Sequence, residues 1–145
     1  MEGNINESLS RLGRRILEMA RNELYIHMRF LDVALSSFLY EPDPSIRCVA
    51  TDGIHMFYHP VMLGNVFQKN RIWVNRSYLH MVLHCILHHV TRRGKREKTL
   101  WNLSCDIAVE SIIDHWYLKC VHFPQTRLRK DTYGQLSKAM KVLTA

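Results

Sequence analysis

No apolar stretch of the 145-residue sequence approaches the roughly 18 residues that a membrane-crossing helix needs. The N-terminus also lacks the short apolar core of a secretory signal, so a cytosolic, cytoplasmic address is the default expectation. Cysteine is sparse and scattered: Cys48, Cys85, Cys105 and Cys120 are widely spaced and form no C-x-x-C pair. In a reducing compartment that spacing reads as free, buried thiols rather than a disulfide framework. There is no internal repeat, no low-complexity tract and no interleaving of aromatic and basic residues of the RNA-binding kind.

What is present suits one domain with one core, spanning residues 1–145. Apolar residues make up 47% and charged residues 23%, ordinary for a globular chain. The net charge of +7 is carried partly by Arg92-Arg93-Gly94-Lys95-Arg96-Glu97-Lys98 and partly by Arg127-Leu128-Arg129-Lys130. Two solvated loops account for such runs; an acidic partner such as nucleic acid is the sharper alternative.

Residues 5–28 read as an amphipathic helix, with Ile5, Leu9, Leu12, Ile16, Met19, Ala20, Leu24 and Ile26 on one side and arginines opposite. Residues 30–40 fit a strand or a helix, and Pro42 and Pro44 then force an extended loop. Asp52-Gly53 between the short apolar runs of residues 48–58 is a hairpin signal. A short helix is expected over 60–68. The next helix runs from about 76 to 92, capped by Asn75 or Ser77. Further helices cover 99–118, capped by Thr99, and 132–143. The last residues, Leu143-Thr144-Ala145, read as the start of another element, as though this were the front piece of a longer protein.

Nine histidines are many for 145 residues, and four fall between positions 80 and 89. His84 and His88, four apart, lie about 40° apart around a helix, so both imidazoles can reach one point. A catalytic-type zinc site needs a third protein ligand, and Asp106 or, one turn on, Glu110 could bring it from the following helix. His80, on the same face one turn earlier, reads as a core residue or a partner of a ligand. His89 reads as pointing away, partly exposed. In H-E-x-x-H the residue after the first histidine is the general base; after His84 it is Cys85.

The run Ala50-Thr51-Asp52-Gly53, an aromatic strand ending in His59-Pro60, the His84–His88 helix, Arg92-Arg93-Gly94 and Leu100-Trp101-Asn102-Leu103-Ser104-Cys105-Asp106 together resemble the bacterial metallopeptidase domain found in front of a von Willebrand A-like domain. The resemblance covers roughly residues 10–145. It implies an α+β, zincin-like fold, mostly helical, with a small antiparallel sheet or hairpin packed on the motif helix. It implies one zinc ion held by His84, His88 and Asp106, with Asp106 supplied by the Trp-Asn-x-x-x-Asp segment. It also implies a peptide as substrate and a von Willebrand A-like domain of the same chain as partner.

The departure is Cys85, a thiol where that family carries a glutamate. Loss of a general base costs on the order of 10²–10⁴-fold in rate. The expectation is a zinc-binding, catalytically impaired domain acting as a scaffold or interaction module. The alternatives are an active zinc hydrolase with an unusual base and a metal-free basic adaptor for nucleic acid. Cys85 itself could instead be a fourth ligand or a plain buried thiol.

Overall fold

A long first helix organises the chain. In the computed structural model, which describes residues 2–140, α1 runs Glu2–His27 and buries Ile16, Leu17, Ala20 and Leu24. Ile5, Leu12, Met19 and Ile26, expected on that inner face, point to solvent. The ambiguous stretch resolves into a 3₁₀ turn at Arg29–Leu31, a short helix α2 (Asp32–Ser36) and a strand β1 (Leu39–Pro42).

The hairpin forms where Asp52-Gly53 predicts it, between β2 (Val49–Thr51) and β3 (His55–Tyr58). Asp52 holds the turn: its Oδ1 accepts from the backbone of Ile54 and His55 at 2.8 and 2.7 Å, and Gly53 takes φ +100°, a conformation glycine adopts without steric cost. The sheet is mixed rather than purely antiparallel. Its order is β1-β3-β2, with β2 antiparallel and β1 parallel to β3. The added strand precedes the hairpin and lies on the far side of β3. As an edge strand it can end in Pro42, whose missing N–H takes no ladder bond away.

Helix α3 (Pro60–Lys69) is capped by the His59 side chain and begins with proline, whose fixed φ suits the first helical position. Helix α4 spans Arg71–Ile86, starting and ending several residues before the expected 76–92. Its cap is Asn70, whose side chain accepts from Ile72 N at 3.0 Å. Val74, Tyr78, Leu79, Val82 and Leu83 are buried along it, whereas Ile86 at its end and Leu87 and Val90 beyond it are exposed. Tyr78 pins α4 to the front of the chain, donating to Leu35 O at 2.6 Å and lying 2.8 Å from the Tyr40 hydroxyl.

Helix α5 (Lys98–His115) is capped by Glu97 rather than Thr99, and α6 covers Arg127–Ala139, capped by Thr126. The last helix starts at Arg127 rather than 132 and stops at Ala139, where Met140 is extended; residues 141–143 and the element expected to begin at Leu143 lie outside the described residues. The helices and the small sheet together give an α+β fold around one apolar core.

Gly13 of α1 lies against the ring of Tyr58 from β3. A Cβ there would overlap the ring of Tyr58, which is 2% exposed and fixed by donating to Ser10 O at 2.7 Å. Gly13→Ala should therefore destabilise the fold by about 1–3 kcal/mol in denaturant titrations, although alanine is intrinsically the better helix former.

Candidate metal centre

Helices α4 and α5 run antiparallel, and each presents a ladder of residues four apart, the spacing that stacks side chains on one helix face. On α4 the ladder is Arg76, His80 and His84. On α5, read in reverse, it is Asp114, Glu110 and Asp106. Arg76 Nε donates to Glu110 Oε2 at 2.9 Å and Nη2 to Asp114 Oδ1 at 2.8 Å. His80 Nδ1 lies 2.7 Å from Glu110 Oε1, and its Nε2 is 3.2 Å from Asp106 Oδ1. His84 Nε2 is 3.1 Å from the same Asp106 oxygen and 2.8 Å from His80 Nε2.

Three donor atoms, the Nε2 of His80, the Nε2 of His84 and Oδ1 of Asp106, thus face one point and could hold a metal ion. Ligands about 2.0–2.1 Å from a tetrahedral zinc stand about 3.4 Å apart, slightly wider than the 2.8–3.2 Å observed here. The donor chemistry also fits: two imidazoles and a carboxylate form a set used by catalytic zinc sites. Without a cation, a proton has to sit among these atoms. Burial disfavours a charged His80, but Asp106 and Glu110 outweigh it and push its pKa up to about 9. The same contacts hold Asp106 well below the usual carboxylate range against its own burial. Glu110 is brought down to about 2 by His80 and Arg76, again against burial.

Of the sequence-predicted ligands, the structure brings His84 and Asp106 together and leaves His88 outside the group. The cause is local. His88 N bonds Cys85 O at 3.1 Å and His89 N bonds His84 O at 2.9 Å, the paired bonds of a Schellman cap, with His88 in the left-handed position at φ +59°. His88 is therefore the residue that stops the helix, and it is exposed. The chain behind it folds His89 inward. His89 is 8% exposed rather than pointing away, with Nδ1 3.1 Å from His84 Nδ1. Trp101 Nε1 donates to His89 O at 3.0 Å and ties this turn to α5. Burial and the neighbouring His84 lower the His89 pKa, so it suits a neutral acceptor for a hydrogen on His84 Nδ1.

Glu110, the alternative third ligand, sits on the Nδ1 side of His80, away from the point that the three donors share. A carboxylate there fixes a ligand imidazole's tautomer and orientation. Cys85 follows the second histidine of the observed pair, its thiol 3.9 Å from Thr51 Oγ1 and pushed up in pKa chiefly by burial. The residue after the first histidine is Met81. An open groove of about 640 Å³ reaches the group, with Thr51, Met81, His84, Trp101, Cys105 and Asp106 in its lining.

Two outcomes follow from this geometry. Glycine adopts the left-handed conformation without the Cβ penalty of roughly 1–2 kcal/mol, so His88→Gly should hold or raise the midpoint of thermal unfolding; inside a continuing helix the same change would cost about 1 kcal/mol. Arg76→Met removes the guanidinium shared by Glu110 and Asp114 at a buried position, Arg76 being 3% exposed, leaving those acids to His80 and Arg129, and should cost about 3 kcal/mol in denaturant titration.

No curated protein and no solved structure gives a match to this chain. Among the described residues no helix is long and apolar enough to cross a membrane. A family model described as "Putative metallopeptidase domain" matches residues 14–138, a span that holds both helix ladders, the hairpin and the capped turn between α4 and α5. The chain belongs to that metallopeptidase-domain family.

Proposed function

We propose that this domain binds one zinc ion through His80, His84 and Asp106 and is a catalytically impaired relative of the zinc peptidases, serving as a scaffold or interaction module. The observation that carries the reading is the convergence of two imidazole Nε2 atoms and one carboxylate oxygen within 3.2 Å of one another. Zinc is the divalent metal that this donor set suits. Among the partners that the family resemblance suggests, a von Willebrand A-like domain of the same chain would use the domain as such a module.

A bound zinc ion supplies Lewis-acid chemistry toward a carbonyl or a water entering by the groove. The chain's own residues do the rest. Glu110 takes the Nδ1 hydrogen of His80 and so turns its Nε2 lone pair to the shared point. His89 does the same for His84 as a neutral acceptor. Asp106 brings the negative charge that offsets a cation. Met81 is what impairs the chemistry: a thioether cannot take a proton from water or deliver one to a leaving amine, the two tasks of the general base in H-E-x-x-H. Cys85, beside Thr51 with its thiol pKa raised, supplies no replacement base.

Zinc titration followed by metal analysis of the desalted protein tests the assignment. Wild type should retain one equivalent, as should His88→Ala, while His80→Ala, His84→Ala and Asp106→Ala should each lose it. Glu110→Gln should weaken binding by about 10–100-fold. Absence of stoichiometric zinc in wild type, or full retention by His84→Ala, would overturn the metal reading. For the missing base, Met81→Glu should gain chelator-sensitive cleavage of an unstructured protein substrate over wild type. A wild type that already cleaves as fast as Met81→Glu would show a working hydrolase instead.

A further inference from the structure

The basic segment between α4 and α5 is folded so that part of its charge faces the groove. Arg96 is taken up internally: its guanidinium lies 4.8 Å from the centre of the Trp101 ring, and Nη1 donates to Arg92 O and Arg93 O at 3.0 and 3.2 Å. Glu97, the one acid of the segment, accepts from the backbone of Thr99 and Leu100 at 2.9 and 2.7 Å as the cap of α5. Arg93 and Lys98 line the groove alongside His84 and Asp106. Among the described residues, neither makes an ion pair.

The acids around these two cations are committed elsewhere, and Glu97, which feels the charge of Arg93, is spent on the cap of α5. Asp106, which also lines the groove, faces both imidazoles. Asp52, in the hairpin turn, is bound to His55 and to the turn's own backbone N–H groups. The groove therefore carries two cations beside the candidate metal centre, and among the described residues no carboxylate meets them in an ion pair. We propose that the groove takes a peptide segment rich in acidic side chains, seating a carboxylate on Arg93 and Lys98 next to the His80–His84–Asp106 group. The inference rests on reading that group as the centre of a peptidase-like cleft.

Nucleic acid fits the same feature less well. Trp101, the aromatic ring in the lining, is 8% exposed and covered by Arg96, so no ring is free to stack a base. Two cations are also a short row for a phosphate backbone, whose binding scales with the number of phosphates neutralised. The wall contributed by Val49, Ala50 and Thr51 of β2, which among the described residues pairs only with β3, suits an extended chain.

Fluorescence anisotropy with the full chain and two short labelled peptides tests this, one alternating glutamate with small residues and one with every glutamate replaced by glutamine. The acidic peptide should bind at least about tenfold tighter, the kind of difference that charge complementarity produces, with the gap narrowing as salt is added. The gap should vanish in Arg93→Gln/Lys98→Gln protein. Equal affinities, or a gap that survives in the double variant, overturn the inference. So does an oligothymidylate of matched charge that displaces the acidic peptide more effectively than the peptide displaces itself. Zinc uptake is measured in parallel: zinc-loaded protein without acidic preference removes this inference alone, and Arg93-dependent preference in protein that takes no zinc removes the metal reading alone.

Discussion

The seam between α4 and α5 is the constraint on which the rest of the structure depends. Three cationic or cation-accepting groups, Arg76, His80 and His84, face three acids, Asp114, Glu110 and Asp106, on a helix running the other way. Each ladder keeps the four-residue period of its helix, so one register satisfies all the pairs at once. A slip by one turn would leave an acid at one end of the seam, Asp114 or Asp106, without its partner from α4. The ladder also grades from inside outward: Arg76 and Asp114 have side chains 3% and 5% exposed, whereas Asp106 is 55% exposed. The candidate metal group sits at the open end, and the Arg76–Asp114 pair sits at the closed end.

That gradient explains why charged groups lie in the interior of a small domain. A buried ion pair contributes little net stability, since desolvation offsets attraction, but an incomplete one is costly. The cost of leaving Glu110 or Asp114 unmatched locks Arg76, and Arg76 locks Glu110, which holds His80 from behind. The His80 imidazole is thus aimed by a guanidinium that never reaches it. His84 is aimed separately, through the turn that brings His89 against it and the Trp101 bond that secures that turn.

The hairpin was legible because Asp-Gly has a local cause: an Asp side chain that bonds the turn backbone and a glycine at positive φ. The helices were legible from apolar period, and the α+β character with them. The sheet was read as antiparallel because β1 joins it across a connection that no local signal specifies. In the group that could hold a metal ion, His80 stands with His84 and Asp106 where His88 was expected. The segment holds two overlapping pairs four apart, His80–His84 and His84–His88, and no glycine marks the stop between them. Histidine at the left-handed cap position hid the end of the helix. The distinguishing signal was nevertheless in the chain: Arg76 continues the His80–His84 period backward, and Asp106, Glu110 and Asp114 form the matching acidic period, a correspondence that His88 does not extend.

Helix α6 is fastened differently from every other long helix. It has no buried residue, and its hold on the domain runs through Arg129, which reaches Asp114 and, at 3.7 Å, Glu110. The same two acids anchor Arg76. The Arg129–Asp114 pair, this far inside, is little screened by salt, so loss of the Arg129 guanidinium, more than brine, is what would free this helix. Its departure would leave Asp114 to Arg76 and Gln125, and news of the detachment would arrive at the back of His80 through a guanidinium and a single glutamate.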